Sequence, residues 1–154
     1  MDDFSLFEIE KKVWGTTKCV YHSEFMSQHQ LTLKANTFCS FHYHCRRANY
    51  FHVEKGIVRI VCVIGYRLFH RDLKSSEFYN VPSYIPHQFQ VLESGEMMER
   101  YCPDRGGTIS IDDITRLSVG GRSSRIAKKP VSIYFADGRV WNEEHSCNLQ
   151  LCLE

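Results

Sequence analysis

His42-Tyr43-His44-Cys45-Arg46-Arg47-Ala48-Asn49-Tyr50-Phe51-His52-Val53-Glu54-Lys55-Gly56 is the stretch on which the reading of this chain turns. Its start belongs to an apolar-alternating run at 38–44, and in a strand positions i and i+2 share a face, so His42 and His44 sit side by side. Two imidazoles on an inward face are costly to bury unless each finds a partner, and one divalent cation supplies a partner for both. Asn49 adds an oxygen donor, and Gly56 reads as a tight turn that reverses the strand. A second segment, Pro82-Ser83-Tyr84-Ile85-Pro86-His87, delivers a third histidine out of a proline-stiffened turn. His42, His44, Asn49 and His87 therefore form a candidate mononuclear metal site.

Outward from this stretch, short runs with period-two alternation recur at 18–22, 29–33, 50–53, 57–64, 66–69, 78–81, 88–92, 97–102, 131–135, 139–141 and 148–152. Ser94-Gly95 and other glycine-bearing turns punctuate them, and Asp137-Gly138 reads as a type I′ hairpin turn with positive φ at both residues. The best helix lies at 110–117, where Ser110 caps and Asp113 closes a capping box. Many short strands with one short helix predict an all-β sandwich or barrel. The cation-rich stretch from Gly121-Arg122 to Lys128-Lys129-Pro130 divides a barrel at 1–122 from a linker and C-terminal hairpin at 123–154, all within one domain.

The 154 residues carry a net charge of +1, too near neutrality for a partner such as nucleic acid, whose affinity rests on a large basic field. With no apolar run long enough to span a bilayer and an acidic start at Met1-Asp2-Asp3, the chain is expected to be cytoplasmic, with no membrane partner. Its seven cysteines are odd in number and lack any Cys-x-x-Cys, so they read as small buried side chains of a reducing compartment.

The histidine spacings resemble those of the cupin superfamily. Its first motif runs His-x-His, three or four residues, Glu, six residues, Gly, and its second runs Pro-x-Gly-x-x-His. His42, His44 and His87 match the metal-binding histidines, while Asn49 stands at the Glu and Tyr84 at the glycine of the second motif. Residues 12–122 are further similar to the cupin domain of type II mannose-6-phosphate isomerases. The likeness rests on Trp14-Gly15, on Ser40 to Phe51, on Asp112-Asp113-Ile114-Thr115-Arg116 and on Gly121-Arg122. The resemblance implies an all-β double-stranded β-helix, the cupin jelly-roll barrel, here with a C-terminal β-hairpin extension. It also implies a divalent metal ion (Zn, Ni, Mn or Fe), a small anionic substrate and a homodimer.

On that resemblance the activity is sugar-phosphate isomerisation through an enediol. Arg47, Arg116 and Arg122 are the cations for the phosphate. Glu99 is the base, provided that Met97, Glu99 and Tyr101 face inward rather than Met98. A cupin dioxygenase using Fe(II) and a non-catalytic small-molecule-binding cupin are the competing readings. Replacing Glu by Asn49 removes a negative charge, weakening one ligand and leaving the pocket more positive. His22, His29, His52, His70 and His145 read as surface or structural residues, and Trp14, Tyr43, Phe51 and Phe89 as core. Residues 131–154 must bury Ile133, Phe135, Trp141, Leu149, Leu151 and Leu153, against a barrel edge or across a dimer interface.

Overall fold

The computed structural model of the chain describes residues 6–144. The strands are β1 (Ile9–Lys12), β2 (Gly15–Ser23), β3 (Met26–Leu33), β4 (Thr37–Phe38), β5 (His42–Tyr43), β6 (Arg47–Ile64), β7 (Arg67–Leu73), β8 (Phe78–Val81), β9 (His87–Pro103), β10 (Thr115–Arg116), β11 (Gly121–Arg122), β12 (Ile133–Tyr134) and β13 (Val140–Trp141). No helix occurs among the described residues, so none is long and apolar enough to cross a membrane.

β6 and β9 organise the barrel. They pair antiparallel from Arg47↔Pro103 to Cys62↔His87, with irregular register between Val53 and Val58. At that point both strands bend, and each exchanges its other neighbours. The first half of β6 pairs β8, and the second half pairs β7. The second half of β9 pairs β3, and its first half pairs β4 and β5. Two long bent strands thus replace the four short ones expected at 50–53, 57–64, 88–92 and 97–102. Gly56 does not reverse the chain; at φ 83° it sits in the bulge.

The bend brings two backbones into contact, which is why glycine stands on both. A Cβ added to Gly95 would lie 1.9 Å from the Lys55 carbonyl oxygen, and one on Gly56 would lie 2.6 Å from the Glu93 and Ser94 carbonyl oxygens. Gly95→Ala is expected to lower the urea midpoint by the equivalent of at least about 2 kcal/mol, because backbone rather than a movable side chain must give way.

The inner faces enclose Leu31, Leu33, Phe51, Val53, Val58, Ile60, Leu73, Phe89, Val91 and Met97. The segment at 57–64 is apolar except for Arg59, and Val58 to Val63 are buried because both faces of the strand are covered. Val61 and Val63 point outward into a second cluster with Phe41, Ile133, Phe135 and Trp141. The hairpin β12–β13 therefore packs on the outer face of β6 and β9, rather than against an edge. Gln88 Nε2 donates to the Tyr134 carbonyl (2.9 Å), and Gln90 Nε2 to the Ser132 carbonyl (2.6 Å). The turn between β12 and β13 has positive φ at Gly138 alone, not at both Asp137 and Gly138 as a type I′ turn would. The strand expected at 148–152, with Leu149, Leu151 and Leu153, lies outside the described residues, as do His145, Cys147 and Cys152.

The helix expected at 110–117 is absent. Ser110 does cap a turn, its hydroxyl accepting from Asp112 N (3.2 Å), but the chain then extends into β10, which pairs β5. Asp113 uses its carboxylate on another segment, so no capping box closes.

Candidate metal centre

His42 on β5, His44 just beyond it and His87 at the start of β9 meet inside one end of the barrel. His42 and His87 are direct partners across β5 and β9. Their ring centroids are 4.5 Å apart, and His44 lies 4.9 Å from His42 and 5.4 Å from His87. One ligating nitrogen from each ring lies within 4.8 Å of the others.

Backbone carbonyls hold all three rings by the same atom. His42 Nδ1 donates to the Ser40 carbonyl (2.8 Å), His44 Nδ1 to the Asp113 carbonyl (2.6 Å) and His87 Nδ1 to the Ile85 carbonyl (2.8 Å). A proton held on Nδ1 puts the lone pair of each ring on Nε2, the one on His87 facing the Asn49 amide. His44 Nε2 is buried with no hydrogen-bond partner, which is costly in a cavity unless a cation takes the lone pair. The donor set therefore fits a divalent ion.

The rings are also kept neutral. Burial pushes His44 down to about 2, aided by the nearby Arg47 charge, and pushes His87 down to about 4. His42 is held well below the ordinary imidazole range, by burial first and then by its two neighbours. Neutral imidazoles are the metal-binding form, so no proton need leave on binding near neutral pH.

Asn49 lies fully buried on β6 beside this cluster. Its Nδ2 donates to Glu99 Oε2 (3.2 Å) and lies 3.4 Å from His87 Nε2, while Oδ1 is buried without a partner. The amide thus presents a donor to the cluster, not the oxygen that a ligand role requires. A half-turn about Cβ–Cγ exchanges the two.

Tyr84 occupies the position of the motif glycine and keeps a left-handed conformation, at φ 64°. Its amide donates to the His44 carbonyl (2.6 Å), and its ring stacks under Arg105.

Beside the histidines opens a cavity of about 360 Å³ lined by His29, His42, Arg47, Glu99, Tyr101 and Arg116, with Trp14, Phe89, Ile111, Ile114 and Val119 as apolar wall. Met97, Glu99 and Tyr101 face inward. Glu99 is buried, accepts from the Tyr101 hydroxyl and from Asn49, and burial raises its carboxyl above the ordinary range. Arg47 is buried too, lying 3.9 Å over the Tyr101 ring and donating to the Ser110 carbonyl (3.0 Å). Arg116 lies opposite His42 in register, exposed at the mouth.

Arg122 is not brought to this cavity. It pairs with Thr37 between β11 and β4 and lines a separate depression with Lys34, Ser123 and Ser124. His29, expected to be a surface or structural residue, is a cavity wall, buried and with its ring 5.1 Å from that of Tyr101. The alternation His29, Leu31, Leu33 carried that signal. His52 and His70 are exposed, and His22 is half-buried away from the cluster. The described cysteines are all free, and Cys39 lines the cavity.

No family model matches the chain, and no curated protein matches it. Among solved structures it is similar to Bacillus subtilis oxalate decarboxylase at pH 4.6, with 22% identity and a TM-score of 0.63 over 72% of this chain and 30% of that one. A formate complex of Lactobacillus farciminis oxalate decarboxylase matches with 20% identity and a TM-score of 0.60, over 71% of this chain and 33% of that one. The fold is a jelly-roll β-barrel, as in these neighbours. The chain spans about 30% of the length of these neighbours. What it has in common with them is the all-β barrel, and inside this barrel His42, His44 and His87 form a group able to hold a divalent metal ion.

Proposed function

We propose that this cupin barrel is a metal-dependent enzyme that moves a proton between adjacent carbons of a small anionic sugar-type substrate, a sugar phosphate first among them. The observation that carries the reading is the buried carboxyl of Glu99 on the wall of the histidine cavity, with Arg47 and Arg116 on the same wall. The similarity of residues 12–122 to type II mannose-6-phosphate isomerase domains supports the same class.

His42, His44 and His87 would hold the ion, with Asn49 Oδ1 as a further donor after the amide turns. A bound ion supplies Lewis acidity to the substrate's carbonyl and hydroxyl oxygens. Arg116 at the mouth attracts the anionic group, while Arg47, fixed by Tyr101 and Ser110, keeps the inner wall positive. Glu99 takes the proton from the hydroxyl-bearing carbon next to the carbonyl, and the C–H electron pair forms the C=C bond of an enediolate while the C=O π pair moves onto the carbonyl oxygen. The hydroxyl proton passes to that oxygen, and as the new carbonyl forms Glu99 returns its proton to the former carbonyl carbon. Burial raises its proton affinity, which brings the base towards the range where proton transfer at neutral pH is efficient. Tyr101 holds the carboxyl in place throughout, through its hydroxyl, and the apolar wall of Ile111, Ile114 and Val119 limits water.

In D₂O, the metal-loaded protein is expected to exchange the proton next to the carbonyl of an aldose or ketose phosphate, read by NMR. Glu99→Gln should lower kcat by about 10²-fold or more with little change in KM, since the amide cannot accept the proton. Absence of exchange across a panel of pentose and hexose phosphates would sink the reading. Oxygen uptake by the Fe(II)-loaded protein would favour the dioxygenase class instead.

A further inference from the structure

We infer that Asp113 is a positioning residue for the metal centre, a role that rests on the three-histidine site. Three bonds from this one residue converge on the segment carrying His44. The Asp113 carbonyl accepts His44 Nδ1–H (2.6 Å), and its carboxylate grips two consecutive backbone amides, Cys45 N (2.8 Å) and Arg46 N (2.9 Å). The carboxylate thus fixes where the carbonyl sits, and the carbonyl, at 2.6 Å from Nδ1 against 3.2 Å for the Arg47 Nε beside the same atom, sets the tautomer and tilt of the imidazole.

The same segment continues into β10, whose Arg116 stands opposite His42, while Leu117 N donates to the Phe41 carbonyl (2.8 Å). Residues 113–117 therefore brace the chain on both sides of the His-Tyr-His motif. They also form part of the cavity mouth, through Ile114 and Arg116. A cation on Nε2 draws charge from the ring and makes Nδ1–H a stronger donor, so occupancy of the site and order of this mouth segment reinforce each other.

Zinc affinity, measured by competition with a chromophoric chelator, tests this without any turnover assay. Asp113→Ala is expected to bind Zn²⁺ about 10–100-fold more weakly than wild type. Asp113→Asn, which keeps an oxygen for one of the two amides, should fall between them, and Asp112→Ala at the exposed neighbour should bind as wild type does. The visible spectrum of the Co²⁺ form should change in Asp113→Ala, because the His44 ring is no longer held. Hydrogen exchange at 111–118 should slow on adding Zn²⁺ to wild type but not to His44→Ala. Wild-type zinc affinity in a folded Asp113→Ala overturns the role alone. If that variant does not fold, wild-type affinity in Asp113→Asn does the same. A wild type that binds no zinc overturns the metal centre and the role together.

Discussion

Stripped of metal and titrated with Zn²⁺ or Co²⁺, the wild-type chain is expected to bind one equivalent, and the ion should raise its stability steeply. At a free concentration a thousandfold above its dissociation constant, an ion bound only by the native state adds about 4 kcal/mol. For a chain of this length that corresponds to a Tm increase of about 8–16 °C. The size of the effect follows from the work already done in the apo fold: three rings buried, neutral and held by Nδ1 so that their Nε2 atoms converge. His44→Ala and His87→Ala should each abolish the increase, since two imidazoles cannot replace three. His52→Ala, exposed on the far face of β6, should keep it. Differential scanning fluorimetry and metal analysis on each variant decide the matter. An increase that survives His87→Ala would place the ion elsewhere.

The metal-free chain is expected to lose stability sharply as pH falls below about 6. His87 and His29 titrate near 4 in the folded state and His44 near 2, all lowered first by burial, and His42 is lowered as well. In the unfolded chain each returns to about 6.5. Below that value the unfolded state therefore binds more protons than the native one, and stability falls as pH falls. Each histidine contributes about 1.4 kcal/mol per pH unit in this window. Glu99 acts in the opposite sense, because burial raises its carboxyl in the native state and the unfolded chain gives up that proton more readily. His29, His44 and His87 alone leave about three protons, or about 4 kcal/mol per unit around pH 5, with His42 adding to this slope and Glu99 subtracting from it. That is a large share of the 5–15 kcal/mol typical of a domain. Urea denaturation at pH 7, 6 and 5 should show the midpoint collapsing while its slope in urea stays constant. A midpoint unchanged between pH 7 and 5 would mean that the histidines are not buried neutral. Bound metal should shift the collapse to lower pH until protons compete for the same nitrogens.

The metal centre was legible because its signal is local in two short segments. His42 and His44 share a face by strand alternation, and Pro82 to His87 carries its histidine out of a stiff turn, so both spacings survive in the linear chain. Glu99 was half legible: alternation offered Met97, Glu99 and Tyr101 or Met98 as the inward set, and period two alone does not choose between faces. Burial chose, because the partners of Met97 and Glu99 across β3 and β6 are Leu31, His29, Val53 and Phe51. The bend was misread for a related reason. Gly56 and Gly95 each look like a turn when taken singly, and only their approach across two paired strands shows that they let the backbones touch.

Length, the all-β barrel class and the three histidines of the candidate metal site were thus determined by the sequence itself, since composition and short-range spacing are properties of the chain. Tertiary structure alone decided the rest. It removed Arg122 from the site, brought His29 into the cavity wall, set the Asn49 amide between His87 and Glu99 and placed Asp113 against His44 from 69 residues away. Each of these depends on contacts between segments remote in sequence, where direction and distance come from the pairing of strands and not from the spacing of residues along any one of them.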